Sequence, residues 1–447
     1  MNTHKPNVIL AMTDDQGWGD TAYNGHPVLR TPNLDAMAEE GIRFDRFYST
    51  APVCSPTRGG CMTGRHPYRY GIYFANVGHM PPEEITLAEA LKTRGYATGH
   101  FGKWHLGTLT TEMIDGRRGG RENEHYSPPW ENGFNECFST EQAIPTCDPM
   151  REQKIPTKYW TGSGRWATDN LDGDDSRVIM DRAVPFIRRA VEEDTPFLAV
   201  VWFHTPHEPV RASKKHRSLY PGRPENKQHY YGCITAMDEQ MGRLRGELES
   251  LGVADDTMLW FCSDNGPAGE GGGCAQHPGG RQQGTSGPFR GRKGSLYEGG
   301  VRVPSTLVWP ERISRARPVD VPCSTSDYFP TVLEALGFTM EGQPEPIDGE
   351  SLMPIIAGAT PERPRPIGFE SQDQISLVNN RHKLYSPDKG ETYELYDLLE
   401  DREETRDVAA QHPEIVQEMR EQLAEWRQSL QDSLEGKDYP PCDPVAG

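Results

Sequence analysis

The chain has 447 residues, more than one ordinary core holds, so a large domain and a smaller one are expected. Its 35% hydrophobic content suits a soluble globular protein, and no apolar run approaches the length of a bilayer span. A formal net charge of −19 argues against nucleic acid as a partner, so any anionic ligand must be drawn in by a local basic cleft.

In chain order, Met1 to Pro6 runs straight into a strand with no signal-peptide pattern. The expected location is therefore cytoplasmic if Met1 is the native start, and periplasmic or secreted if a leader was removed. Residues 7–12 (NVILAM) form an apolar run of strand length ending in Thr13-Asp14-Asp15. Pro56 can open a helix, because it lacks the N–H that a first-turn position leaves unpaired, and Cys54 then sits at a helix N-terminus. Residues 87–94 read as a helix with Thr86 as N-cap and Gly95 closing it. A short strand over 98–101 runs into Gly102-Lys103-Trp104-His105; if it continues, Lys103 and His105 share one side.

Further on, 174–193 and 236–251 are amphipathic stretches long enough to be crossover helices. The runs FLAVVWF (197–203) and TMLWFC (257–262) end in His204-Thr205-Pro206-His207 and Ser263-Asp264-Asn265-Gly266. Strands buried on both faces and separated by helices predict an α/β sandwich around a large, mostly parallel sheet. Ligand sites in such sheets lie beyond the carboxyl ends of the strands, where all four runs deliver chemically capable residues. Residues 266–300 read as a long functional loop carrying Arg281, Arg290, Arg292 and Lys293. After a Pro/Arg-rich link at 361–366, strand-like pieces at 374–379, 382–386 and 392–396 precede an amphipathic helix at 414–434. The expected division is a large domain over 1–360 and a C-terminal α+β domain over 361–447.

Nine cysteines are scattered without a CxxC pair, which weakens zinc-ribbon and thioredoxin readings. Cys137 and Cys147 are close enough in sequence for a local disulfide, but buried free thiols are the preferred expectation. Adjacent carboxylates at a strand end repel unless a cation neutralises them. Asp14-Asp15 with Asp264-Asn265 supply three carboxylates and an amide oxygen, a hard donor set suited to Ca²⁺ or Mg²⁺ and poor for zinc.

The segment Cys54-Ser55-Pro56-Thr57-Arg58, followed by Thr63-Gly64-Arg65, resembles the signature of the type I, formylglycine-dependent sulfatases of the alkaline phosphatase superfamily. Further blocks support the resemblance: Gly102 to Gly107, Gly133-Phe134, Pro206 to Pro209, Asp264 to Gly266, Arg292 to Gly300 and Glu394 to Leu398. Thr57 departs from the serine many members carry. Within the family the chain is most similar to bacterial arylsulfatases and carbohydrate sulfatases.

The resemblance implies an alkaline phosphatase-like fold and hydrolysis of sulfate esters, on a sulfated carbohydrate or aryl sulfate. It implies that a formylglycine-generating or anaerobic maturation enzyme oxidises Cys54 to formylglycine, whose hydrate attacks sulfur. One Ca²⁺ (or Mg²⁺) is then held by Asp14, Asp15, Asp264, Asn265 and the modified residue 54. Arg58 hydrogen-bonds the modified side chain, and Lys103 and Lys293 neutralise the sulfonate oxygens. His207 or Lys293 protonates the departing alcohol, and His105 takes a proton to expel sulfate and regenerate the aldehyde. Trp130, Glu141, Asp148, Trp160, Trp166, Glu208, Arg211, His277 and Arg281 fall near site loops as candidate sugar contacts, with packing an equal reading for the aromatics. Two rivals remain at this stage: a formylglycine-dependent phosphonate or phosphodiester hydrolase, and a non-catalytic binder of sulfated glycans.

Overall fold

The computed structural model describes residues 5–119, 123–153, 155–268, 283–359 and 362–439. Ten strands form the main sheet, in the order Arg317–Val319, Ile42–Phe44, Ser305–Val308, Thr257–Ser263, Asn7–Thr13, Phe197–Trp202, Ala97–Lys103, Glu136–Thr140, Trp160–Gly162, Arg165–Trp166. Its five central strands, from Thr257–Ser263 to Glu136–Thr140, run parallel. Ser305–Val308 is antiparallel to both of its neighbours.

The continuous apolar runs are explained by burial on both faces. Val8, Leu10, Met12, Leu198, Val200, Trp202, Met258 and Trp260 point into one core layer. Ile9, Ala11, Phe197, Ala199, Val201, Leu259 and Phe261 point into the other. Helices Cys54–Thr63, Leu87–Lys92 and Tyr328–Ala335 cover the first face. Helices Pro32–Glu40, Asp175–Glu192 and Glu225–Ser250 cover the second. The last of these starts eleven residues before the expected 236, because a polar first stretch of the helix, Glu225-Asn226-Lys227-Gln228, conceals its onset. Thr86 caps Leu87–Lys92 through a reciprocal capping box with Glu89.

One sequence expectation fails here. The strand beginning at Ala97 stops at Lys103, and His105 adopts a left-handed backbone with φ 60°. Strand alternation therefore does not place Lys103 and His105 on one side. No helix among the described residues is long and apolar enough to cross a membrane. Seven cysteines among the described residues, Cys137 and Cys147 included, are free and buried.

A second, four-stranded antiparallel sheet follows chain order: Ile367–Ser371, Gln374–Val378, His382–Ser386 and Glu394–Asp397. Its first strand was not anticipated, since Gly368 and the preceding prolines break the usual strand pattern. Gly368 is required because helix Pro413–Leu434 crosses there: a Cβ would lie 2.4 Å from the Trp426 ring.

Arg69 and Asp348 tie that long helix to the body. Arg69 donates to both Asp348 oxygens at 2.7 and 2.8 Å and to the Ser433 hydroxyl at 3.0 Å, while Trp426 Nε1 donates to Asp348 at 3.0 Å. Burial alone would raise the Asp348 pKa, but the Arg69 charge and hydrogen bonds outweigh it and hold the carboxyl well below its usual range. A depressed carboxylate contributes stability above its unfolded pKa and loses it on acidification. Asp348→Asn is expected to cost about 1–3 kcal/mol at neutral pH in urea unfolding. The gap to the wild type should narrow as the pH falls below about 4, and a pH-independent gap would contradict this account.

Candidate active site

Val53 is extended, and the chain turns at Cys54 into the fully buried helix Cys54–Thr63. Burial of a whole helix needs close approach: a Cβ on Gly60 would meet Thr50 Oγ1 at 2.7 Å. The helix ends at Gly64 in the left-handed conformation, whose N–H donates to Gly60 O at 2.9 Å. Cys54 thus occupies the first turn, where unpaired N–H groups favour negative charge. Its Sγ lies 3.4 Å from Asp14 Oδ1, and Lys293 Nζ donates to it at 3.1 Å. Burial and the Asp14 charge push the thiol up to about 12, so as a thiol it stands protonated at neutral pH.

Asp14 and Asp264 leave the ends of the two adjacent strands Asn7–Thr13 and Thr257–Ser263, held in register by the Asp264 N–H bond to Thr13 O at 3.0 Å. Asp15 turns left-handed, with φ 67°, and its N–H donates to Asp264 Oδ1 at 3.0 Å. Three cations answer these three carboxylates. Lys103 Nζ donates to Asp14 Oδ2 at 2.7 Å, Arg58 Nη2 to Asp264 Oδ2 at 2.7 Å, and Lys293 Nζ to Asp15 Oδ1. Burial raises the Asp14 carboxyl, but Lys103, His207, Arg58 and Lys293 outweigh it and hold it well below its usual range. Asp264 goes the other way, to about 7, because burial and the nearby Asp14 charge both oppose ionisation. With all three carboxylates ionised they match the three cations, so a bound dication would add its own charge and favour the ionised form of Asp264.

The donor set fits such an ion. Atoms of Asp14, Asp15, Cys54 and His207 lie within 4.8 Å of one another. The buried Asn265 Oδ1 has no hydrogen-bond partner, while its Nδ2 donates to Asp15 Oδ1 at 2.8 Å. His207 Nδ1 pairs with the Glu208 carbonyl at 2.7 Å, which turns Nε2 toward Asp15 Oδ2 at 3.7 Å. The unpaired, buried Asn265 oxygen beside the Asp15 carboxylate is an electron-pair donor that a hard cation would satisfy.

All the residues expected in catalytic and metal roles converge here, with one difference of detail. Arg58 spends its hydrogen bonds on Asp264 and on the Lys103 carbonyl (2.9 Å) rather than on residue 54. It also lies over the Trp202 ring at 5.0 Å. Arg58 therefore braces the carboxylates from below. His105 sits beside the cluster and is held neutral, its pKa driven well down by burial and by the charges of Lys103, Arg118 and Arg58. His204 is a structural residue hydrogen-bonded to Asp175 and Thr140.

Asn76 and Arg118, both hydrogen-bonded to the Ser55 hydroxyl, join the site without any motif to announce them. These two come from separate loops, and only their geometry identifies them. Among the candidate sugar contacts, Trp160 is core, Trp130 is partly buried against the core, and Glu141 is fully buried and paired with Arg118 at 2.5 Å. Asp148 accepts from the Gly173 N–H at 2.8 Å, and Arg211 pairs with Glu152 at 2.6 Å. Trp166 is 39% exposed and edge-on to Trp160. His277 and Arg281, with the rest of 269–282 in the expected long loop, lie outside the described residues.

Comparisons with known proteins agree with this geometry. A family model described as Sulfatase matches residues 6–338, and one described as N-sulphoglucosamine sulphohydrolase, C-terminal, matches 287–429. The chain is 33% identical to N-acetylgalactosamine-6-sulfatase of Canis lupus familiaris over 397 residues, covering 83% of this chain and 70% of that protein. It is 32% identical to steryl-sulfatase of Mus musculus, covering 79% of this chain and 65% of that protein. Among solved structures, Ps i-CgsB in complex with k-i-k-neocarrahexaose shares the fold with a TM-score of 0.81, at 24% identity, over 94% of this chain and 92% of that one.

Proposed function

Since the chain belongs to the sulfatase family, we propose that it hydrolyses sulfate esters of a carbohydrate at a formylglycine derived from Cys54, with one bound Ca²⁺. As a family member it is a sulfuric ester hydrolase. The observation that carries the finer reading is the buried cluster of Cys54, Asp14, Asp15, Asp264 and the orphaned Asn265 oxygen, faced by Arg58, Lys103 and the part-exposed Lys293. Residues 1–360 act as the catalytic domain and 361–447 as the C-terminal domain in this reading.

Formylglycine, installed by a maturation enzyme, supplies a hydrated aldehyde as oxygen nucleophile where a thiol stands in the encoded chain. A calcium ion held by Asp14, Asp15, Asp264 and Asn265 supplies positive charge against the sulfate oxygens. The chain's own residues do the rest. Lys103 and Lys293 bring fixed ammonium groups to the site, where exclusion of water strengthens their pull on developing negative charge. Arg58 holds Asp264 in place and favours its ionised form against burial and the Asp14 charge. His207 or Lys293 gives the departing alcohol its proton, and His105 accepts one at residue 54. The sugar preference rests on the names of relatives: one acts on an N-acetylgalactosamine 6-sulfate, and one fold neighbour was captured with an oligosaccharide.

Matured protein assayed against nitrophenyl sulfate, a phosphate diester, a phosphonate monoester and sulfated oligosaccharides is expected to favour the sulfate esters. Prolonged chelation should remove turnover by at least about 10-fold, restored by Ca²⁺. A phosphonate preference would overturn the sulfatase reading of this site, and activity indifferent to chelation would overturn the metal.

A further inference from the structure

We infer that Asn76 is a positioning residue which sets the tautomer of His105, holding the proton on Nε2 and leaving Nδ1 as the basic nitrogen. His105 is buried, and a neutral imidazole has a single N–H, so whichever nitrogen donates fixes the role of the other. His105 Nε2 lies 2.8 Å from Asn76 Oδ1, an oxygen that only accepts. His105 Nδ1 is enclosed and has no hydrogen-bond partner in the structure. The free lone pair is therefore at Nδ1.

The arrangement is built rather than incidental. Both partners hold left-handed backbones, with φ 67° at Asn76 and 60° at His105, a region that non-glycine residues avoid unless their surroundings enforce it. A closed ring of hydrogen bonds does the enforcing. The Asn76 N–H donates to Ser55 Oγ at 3.3 Å, and Arg118 Nη2 donates to the same oxygen at 3.1 Å and to the His105 carbonyl at 3.2 Å. Arg118 is itself fixed by Glu141 at 2.5 Å and by the Gly78 carbonyl at 2.8 Å. Ser55 directly follows Cys54, so the ring registers the imidazole against the nucleophile. No sequence motif includes Asn76, which stands 29 residues from its partner.

The catalytic consequence rests on the reading of residue 54 given above; the tautomer does not. As the O–H bond at residue 54 breaks, the proton goes to Nδ1, its bonding pair becomes the aldehyde C=O, and sulfate leaves with the pair of the C–O bond that held it. The Asn76 oxygen then faces an N–H of the resulting imidazolium and stabilises it. With the proton on Nδ1 instead, His105 has no lone pair to offer there.

Two measurements test this. In ¹⁵N-histidine-labelled Cys54→Ala protein, with His105 signals assigned by their loss in His105→Gln, the ¹⁵N shifts are expected to report the Nε2–H form. Adding Asn76→Gly, which accepts the left-handed backbone but removes the acceptor, should give a mixture of tautomers. In the matured enzyme Asn76→Gly should lower kcat by about 10- to 100-fold with KM within about two-fold of wild type. Asn76→Asp, which can only accept, should recover most of that loss and raise the acid limb of the kcat profile. An Nδ1–H form in the unsubstituted ring, as a donating Asn76 amide would produce, overturns the proposal, as does an Asn76→Gly enzyme with wild-type kcat. Failure of every matured chain to turn over, with the Nε2–H form intact, would count against the aldehyde and leave the assignment of Asn76 supported.

Discussion

Cys54→Ala is expected to reduce sulfate-ester turnover by more than about 10⁴-fold, as loss of a covalent nucleophile does elsewhere. The surroundings should survive, because Cys54 contributes one side chain to a helix whose other nine residues are also buried. Its Sγ contacts are to Asp14, Asp15 and Lys293, and those three remain paired with Lys103 or with each other when sulfur is removed. The variant should therefore melt close to the wild type and still bind a sulfated substrate. Mass spectrometry of the peptide carrying residue 54 supplies the companion observation: active preparations should carry the aldehyde in proportion to their specific activity. Full turnover by a preparation whose residue 54 is entirely thiol would sink the mechanism, and so would an active alanine variant.

Lys383→Met is expected to destabilise the protein by about 3–5 kcal/mol, the usual result of stranding buried charges. Lys383 is fully buried and reaches Glu298 Oε1 and Glu404 Oε1, each at 3.0 Å. Glu298 is held below its usual range: burial raises it, but Lys383, Arg302 and Arg46 outweigh that effect. Glu404 is raised to about 7, mainly by burial. Without the ammonium, Glu404 loses this ion pair, and Glu298 is left with Arg302 at 3.1 Å. The damage should reach the active site, because the same contact holds the Lys293 loop. Glu298 opens the short helix that follows the loop, and Gln374 of the second sheet clasps the loop through Gly294 O at 2.8 Å and the Leu296 N–H at 3.0 Å. Adding Glu404→Gln should recover part of the stability by removing one stranded charge. Unfolding free energy within about 1 kcal/mol of wild type for the single variant would show the network to be dispensable.

Much of this arrangement was readable in advance where the signal is local. The runs NVILAM, FLAVVWF and TMLWFC are strands within one residue of expectation, since a strand buried on both faces must be continuously apolar. Pro56 and Thr86 mark helix starts through backbone chemistry that needs no distant partner. The strand at Ile367–Ser371 was hidden because its glycine is there to admit Trp426, which is 58 residues away in sequence. Likewise, the left-handed backbone and placing of His105 are held by Asn76 and Arg118, and nothing near 105 in the sequence reports them.

The sequence by itself determined the chemistry: a cysteine at a helix start, paired carboxylates at strand ends, and the lysines and histidines that follow the strands. It did so because residue type and spacing are fixed by the reaction and by strand and helix periods. Only the tertiary structure decided which nitrogen of His105 is basic, that Arg58 braces Asp264, and that the second sheet grips the Lys293 loop. Those outcomes depend on contacts between distant segments, whose hydrogen bonds and desolvation costs exist only once the chain has closed around them.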